Sequence, residues 1–518
     1  MRQSDSFSRH LPQFPESLWR ATTELPSFPR LDEDIEVDVA IVGAGIVGIT
    51  TAYLLSKQGV KVAVLEAGVI LNGTTGHTTA KISAQHGKIY DELLNHFGKE
   101  NAQMYYKANM DAKAFILNTA NELGIECDLR PESAYIYVEK TDDLQGLQKE
   151  FDAYIKLGIP GQWRDELPIP LKVKGAIEMP DQGQFHPLHY LKPLVEESVK
   201  NGAKIYEHTT ITRLEDDGPP YTLSAYHGKA KVRCRRIVSA SHFPFLDKKG
   251  LYFARLHAVR SYAVAFRPER PFPGGTYLSV GNATPKRSLR TASYNGEDLI
   301  IAGGENHKTG QSIRTYERYE QLEKFGSELF GIKEIPFRWS AQDLETLDKV
   351  PYIGQLTEGD DGIYVATGFY KWGMTQGTLS GMILSDLIVG KPNPYALLYN
   401  PSRFKADPSV KNVVVQNADV AKHFIAGKVG LIQRKADDLQ PGEGGVISYD
   451  GRRAGGYRDD EGNLYIVDTT CSHMGCEVEW NDGERSWDCP CHGSRYTYEG
   501  EVIEGPATKP LDKLEKRI

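Results

Sequence analysis

Residues 37–66 read VDVAIVGAGIVGITTAYLLSKQGVKVAVLE, and the order of features in this stretch decides the fold. Val37–Val42 is an apolar run suited to a buried parallel strand, and Gly43–Gly48 is a glycine turn. Ile46–Lys57 has the spacing of a helix, and Val60–Leu65 is a second buried strand that ends at Glu66. That is a βαβ unit. Gly43, Gly45 and Gly48 form G-x-G-x-x-G where the first strand turns into the helix. The first glycine allows a tight turn, the second lets backbone approach a pyrophosphate, and the third lets the helix pack on the strand. The helix N-terminus offers N–H groups and partial positive charge to phosphates. Glu66, about 20 residues on, stands where a carboxylate accepts from ribose hydroxyls. The glycines alone would suit an ordinary structural turn, but strand, turn, helix, strand and acid in this order point to a bound dinucleotide.

Outward from this unit, residues 1–35 are Pro-rich and aperiodic and read as an arm lying on the body. The body is expected over 36–400. It mixes a helical stretch, Asp91–Leu123, with strand-like alternation at Ala134–Val138, Tyr262–Phe266 and Leu299–Ala302. Such a mixture suits an α+β substrate region interleaved with the α/β body rather than a separate domain. Periodicity fades around Pro394, Pro401 and Pro408, and 401–428 reads as a linker. From 429 to 518 short strand candidates alternate with glycine turns, the pattern of a small all-β domain.

Composition narrows the partners. The chain has 518 residues, enough for roughly three to four structural units. Its formal net charge is −8, which gives no general attraction to nucleic acid or to an anionic membrane surface. No window approaches the roughly 18 apolar residues of a spanning helix, and the N-terminus has no secretory pattern. A soluble, cytoplasmic protein without a membrane span is therefore expected.

Six cysteines are present, and Cys471, Cys476, Cys489 and Cys491 crowd together while Cys127 and Cys234 stand alone. A local cluster in an otherwise cysteine-poor chain reads as a metal site. The strings are Cys471-Ser472-His473-Met474-Gly475-Cys476 and Cys489-Pro490-Cys491-His492-Gly493-Ser494. Taken as C-x-H and C-x-x-H, they supply two thiolates and two imidazoles, which suits a two-iron centre with sulfur on one iron and nitrogen on the other. A zinc site and a disulfide pair are the alternatives, although zinc fingers space cysteines more closely and pair histidine with histidine.

Two family resemblances add to these readings. Residues 36–395 resemble the glycine oxidase / D-amino-acid oxidase superfamily of FAD enzymes. The segments that carry the likeness are 38–66, Phe185-His186-Pro187, Gly202–Thr212, Asp348 with Tyr352-Ile353-Gly354, and Ala366-Thr367-Gly368-Phe369 with Trp372-Gly373-Met374 and Gly381. The resemblance implies FAD as cofactor, with Gly368, Trp372, Gly373 and Met374 at the flavin and a helix N-terminus from Gly373 facing its pyrimidine end. Gly73-Thr74-Thr75-Gly76-His77 resembles the G-T-T-W-H of dimethylglycine dehydrogenase-like relatives, in which the histidine carries covalent flavin. The tryptophan is missing here, so Thr74 and His77 are expected to contact FAD with His77 packed near the ring.

A second departure concerns substrate. Where superfamily members that act on free amino acids carry a carboxylate-clamping arginine, this chain has Asp343, within Trp339–Asp348. A carboxylate there favours an ammonium and points to an amine or another non-carboxylate substrate; an Asp capping a turn away from the pocket is the plainer reading. Asp343, His257 and Lys308 are the candidate catalytic side chains, with Arg260, Tyr262 and His307 as further polar groups near the pocket.

Residues 429–518 closely resemble the Rieske proteins, with Gly505-Pro506-Ala507 and Pro510-Leu511 matching that fold's closing loop. The resemblance implies Cys471, His473, Cys489 and His492 as ligands of a [2Fe–2S] cluster and Cys476–Cys491 as a disulfide. Ser494 and Tyr496 match the high-potential respiratory subclass. No catalytic iron domain follows, so an oxygenase is not expected. Together the modules imply an FAD-dependent oxidoreductase of amine or amino-acid type that passes electrons from reduced flavin through the Rieske cluster to an external acceptor. Electron flow in the reverse direction, feeding a flavin that activates oxygen, is the alternative within enzymes. A redox-responsive binding protein is the alternative outside them.

Overall fold

β1 (Ile35–Val42) lies in the middle of a parallel sheet, with Val39 opposite Val62 and Val42 opposite Leu65 on β2 (Val62–Leu65). On its other side it pairs in parallel with β3 (Lys231–Ser239), Ile41 opposite Val238. A strand covered on both edges and both faces has no solvent side to mark with polar residues, which is why its inner half reads as an apolar run. The computed structural model describes residues 11–215, 218–225, 230–282, 284–312, 314–403, 417–424 and 434–514. The central path of the sheet runs Tyr352–Gln355, Ile363–Thr367, β3, β1, β2, Lys204–Tyr206. α1 (Ile46–Ser56) follows β1, is buried along almost its whole length, and packs against α2 (Gly373–Ile388).

A second sheet, mostly antiparallel, covers the substrate side. Its central path runs β6 (Ile332–Thr346), β4 (Leu256–Pro268), β5 (Glu297–Lys308), Arg287–Tyr294, Thr276–Ser279, Arg130–Val138, Gly175–Gln184 and Lys81–Ile82. The three alternating segments read from sequence all fall inside these strands, which run longer because their ends continue past the apolar core. The long helix spans Tyr90–Glu122 and kinks at Gly98, whose φ is 81°. The body is thus an α/β nucleotide fold with an interleaved α+β layer.

Residues 11–34 are stitched to that body. Trp19 is buried, lies edge-on to Trp339 at 6.4 Å, and donates its indole N–H to the Thr78 carbonyl at 2.7 Å. Residues 1–10 of the expected arm lie outside the described residues. At the far end Arg403 grips Asp348 with two hydrogen bonds, of 2.9 and 2.8 Å, both side chains being buried. Of the expected linker, 404–416 and 425–428 lie outside the described residues. Its helix 417–424 lies on the body, where Asp419 accepts from Lys308 at 2.7 Å and from Gln311 at 2.9 Å.

The C-terminal domain is all-β. A three-stranded sheet (Gly444–Tyr449, Arg452–Arg458, Leu464–Val467) and a four-stranded one (Glu479–Asn481, Ser486–Asp488, Arg495–Thr497, Val502–Glu504) enclose Val478, Trp487 and Tyr496. This domain is seated on β4 and β6. Gln342 donates to the Gly493 carbonyl at 2.9 Å, Arg338 to that of Gly483 at 2.9 Å, and Arg260 to Glu504 at 2.5 Å. A Cβ on Gly310 would stand 2.5 Å from the Pro490 nitrogen, so the two surfaces meet backbone to backbone. Among the described residues no helix is long and apolar enough to cross a membrane.

Candidate functional site

One cavity of about 840 Å³ runs from Gly43 and Gly45, past Glu66, to Trp372, Gly373 and Met374. Residues 502–508 of the C-terminal domain complete its wall. At the nucleotide end the turn is made by atoms that are missing. Gly43 has φ 106°, and a Cβ there would lie 2.5 Å from the Ala240 carbonyl oxygen. A Cβ on Gly48 would land on the Gly43 carbonyl, so Gly48 sits behind the cavity and sets the helix-to-strand distance. No side chain caps α1 at Gly45, and its first turn faces the cavity through Ile46 and Val47. The Ile46 N–H donates to the Thr75 hydroxyl at 3.0 Å, and a helix N-terminus of this kind also offers N–H groups and partial positive charge to a pyrophosphate.

Glu66 accepts the Ala44 and Gly68 N–H groups, both at 2.8 Å. Burial raises its pKa and those two hydrogen bonds pull it back. Thr74 donates to the Gln342 carbonyl at 2.9 Å and lies 3.2 Å from the His242 ring, which ties the nucleotide end to β6. The His77 ring lies on the cavity wall with Nδ1 3.0 Å from the Gly73 carbonyl, and burial lowers its pKa. Trp372 stacks on His86 at 4.5 Å, and His86 is held neutral by burial, with a pKa of about 3. α2 then starts at Gly373 without a side-chain cap, so a second helix N-terminus meets the cavity. Gly368 stands behind it, against Thr346 of β6.

Asp343 of β6 forms part of the wall between these ends. Burial pushes its carboxyl up to about 6, and the Lys371 charge opposes that rise. Lys371 and its neighbour Tyr370 have φ of 71° and 49°, in the left-handed region that residues with side chains rarely adopt. Strain of this kind persists where the surrounding structure holds a side chain in place. Lys81 also lines the cavity, and burial lowers its ammonium to about 7.

The structure does not bring the other two catalytic candidates into the cavity. β4 gives it Ser261, Tyr262 and Ala263, while His257 lies four residues earlier, next to Ala258, which meets Gly493 of the C-terminal domain. Lys308 is tied to Asp419 and stands outside the wall. Arg260 serves the domain contact, bonded to Ser340 and Glu504, and His307 pairs with the Tyr262 hydroxyl at 2.9 Å.

The sulfur-rich site lies between two loops of the C-terminal domain. The Cys476 and Cys491 sulfurs are 2.12 Å apart, a disulfide. The Cys471 and Cys489 thiols are buried and unbridged. Cys476, Cys489 and Cys491 place their sulfurs within 4.8 Å of one another, but the disulfide withdraws two of them as donors. His473 and His492 stand edge to face with ring centroids 4.9 Å apart. Each buries an Nδ1 that has no hydrogen-bond partner among the described residues. Two free thiols and two orphaned imidazole nitrogens in one buried place fit a mixed-ligand two-iron cluster. Burial and the adjacent His473 hold His492 down at about 4, the neutral form that has a lone pair to give. The Tyr496 hydroxyl lies 3.2 Å from the Cys471 sulfur. The other ring nitrogen of His473 is 2.8 Å from Asp247 of the nucleotide body.

Sequence reasoning missed Asp247, Lys371 and Lys81. The backbone at Lys371 left no mark in the sequence, and Asp247 is 226 positions from the histidine it meets.

The chain matches the FAD dependent oxidoreductase family over residues 38–387 and the Rieske [2Fe-2S] domain over 431–515. It is 48% identical to YhfW of Bacillus subtilis (strain 168), which is named as a Rieske 2Fe-2S iron-sulfur protein, across 97% of this chain and 98% of that one. Gamma-glutamylputrescine oxidoreductase of Escherichia coli (strain K12) is 24% identical, across 70% of this chain and 86% of its own. The structure of glycine oxidase from Geobacillus kaustophilus aligns with TM-score 0.59 at 20% identity, covering 71% of this chain and 99% of that one. That likeness shows the fold of the body.

Proposed function

We propose that this chain, which belongs to the FAD-dependent oxidoreductase family and carries a Rieske [2Fe-2S] domain, oxidises an amine or amino-acid-type substrate and passes the electrons through the Rieske domain to an external acceptor. One observation carries the reading. The cavity that begins at the dinucleotide turn is closed by the Rieske domain itself, and the cluster histidine His473 is bonded to the body. When bound, FAD supplies a two-electron acceptor for substrate hydride and the cluster a one-electron outlet.

The residues divide that work. Gly43, Gly45 and the N-terminus of α1 hold the pyrophosphate, and Glu66 holds the ribose. The N-terminus of α2 at Gly373 sets partial positive charge on the flavin's pyrimidine end, with Trp372 and Met374 beside it. Asp343 orients the substrate ammonium, and Lys371 beside it favours the charged carboxylate that this requires. The names of two relatives, gamma-glutamylputrescine oxidoreductase and glycine oxidase, support a substrate with such a nitrogen. Cys471, Cys489, His473 and His492 hold the cluster. The Tyr496 hydroxyl on the Cys471 sulfur favours its more negative, reduced form and so raises its potential.

The test is an anaerobic potentiometric titration of the full chain, following flavin by absorbance and cluster by EPR. A cluster potential above that of the flavin is expected, together with dye reduction by members of an amine and amino-acid panel. A cluster potential well below that of the flavin would overturn the outward path.

A further inference from the structure

We infer that Asp247 is the latch that seats the histidine edge of the cluster on the flavin body, and that it sets the cluster's potential through the outer nitrogen of His473. This rests on the ligand set and outward path proposed above. The observations lie along one short run of chain. Where β3 ends, Ala240 donates to the Val42 carbonyl at 2.8 Å, directly behind the glycine turn. Ser241, His242 and Phe243 then line the cavity. His242 adopts a φ of 62°, its carbonyl accepts the Thr367 hydroxyl at 2.5 Å, and its ring Nδ1 lies 3.2 Å from the Thr74 hydroxyl oxygen. Phe243 turns its ring edge-on to His473 at 6.2 Å. Asp247 completes the run, 7% exposed, with Oδ2 2.8 Å from Nε2 of His473. Eight residues therefore begin at the nucleotide turn and end on a cluster ligand.

The two ring nitrogens have separate partners. Nδ1 of His473 is buried with no hydrogen-bond partner among the described residues, which leaves it for iron, so Nε2 carries the proton and donates to Asp247. A carboxylate on the outer nitrogen of a ligating histidine fixes the ring's orientation and makes it a more basic ligand. It also places negative charge beside a cluster that becomes more negative on reduction, which favours the oxidised state. With FAD held at the dinucleotide turn and a cluster held by Cys471, Cys489, His473 and His492, each electron given up by reduced flavin would be balanced by one ferric iron becoming ferrous, and an external one-electron acceptor would take it before the second. While the latch is closed that acceptor does not reach His473 and meets the domain on another face.

Asp247→Asn and Asp247→Glu in the full holoprotein test this by EPR-monitored potentiometry. Asp247→Asn is expected to shift the ratio of reduced to oxidised cluster about tenfold at fixed potential, a rise of about 59 mV for one electron. The flavin midpoint should not move, and Asp247→Glu should bring the cluster back toward the wild-type value. Hydrogen exchange in Asp247→Ala should rise together over 240–247 and 471–476, the two sides of the latch. A wild-type Rieske EPR signal with an unchanged midpoint in Asp247→Asn overturns the latch alone. Absence of that signal in iron-replete wild type overturns the proposed function and the latch with it.

Discussion

At the dinucleotide turn the work is done by atoms that side chains leave out. Gly43 and Gly48 are spaces into which backbone fits, because neither carries a Cβ to keep it out. At the proposed cluster cradle it falls to side-chain atoms, the free sulfurs of Cys471 and Cys489 and the unpartnered Nδ1 atoms of His473 and His492. A site of the first kind is lost by adding an atom, and one of the second kind by taking a donor away. The two are also held differently. α1 packing on its own sheet sets the turn, whereas the disulfide and a contact with the other module set the cradle.

The sharpest way to break the comparison is to remove one donor. His492→Ala or Cys489→Ser is expected to abolish bound iron and the Rieske EPR signal while flavin content stays near that of wild type. Metal analysis and the visible spectrum read both, and flavin lost in parallel would mean that the two sites are not independent. Next in size is the tie between the cluster loops. Replacing both Cys476 and Cys491 by serine opens a link across a sequence separation of 15. It should cost the C-terminal domain about 3 kcal/mol, read as a lower unfolding midpoint with the flavin body's transition unmoved.

Adding one methyl group tests the other side. Gly48→Ala drives a Cβ into the Gly43 carbonyl and should destabilise the body by about 1–3 kcal/mol, with flavin occupancy falling and the cluster signal retained. A smaller effect is conditional on pH. Asp343 has its carboxyl raised to about 6 by burial, so it gains a proton and loses its hold on an ammonium as pH falls through that value. KM for an amine should rise about tenfold per pH unit below about 6, and Asp343→Asn should flatten that limb. Because its folded-state pKa lies above the unfolded one, ionising this group also costs stability as pH rises from about 4 to 6. The smallest expected change is at His77. Acid precipitation should leave all the yellow colour in the supernatant for wild type and for His77→Ala alike.

Much of both sites was legible from residues close together in the chain. The turn from Gly43 to Gly48 and the acid at Glu66 could be placed because a buried parallel strand, a glycine turn and a helix each leave a local mark. The cradle was legible because its donors come in two short strings. Asp343 was legible as a departure from a pattern, and the structure puts it in the cavity wall. His257 and Lys308 were polar residues on alternating strands, and alternation says which residues share a face but not what that face meets. One lies beside the seat of the C-terminal domain and the other is bound by Asp419.

The sequence by itself determined the two family modules and their order, the nucleotide turn, and the two short strings from which the cluster donors are proposed. Those features depend on backbone geometry within a few residues, where φ and hydrogen bonding are set by neighbours. Only the tertiary structure decided that the Rieske domain closes the cavity at the dinucleotide turn, that the Lys371 charge acts on Asp343, and that Asp247 meets His473. The Asp247–His473 contact alone joins positions 226 residues apart. Their distances follow from how two sheets and a docked domain pack, a sum of many weak side-chain contacts that no short stretch of sequence contains.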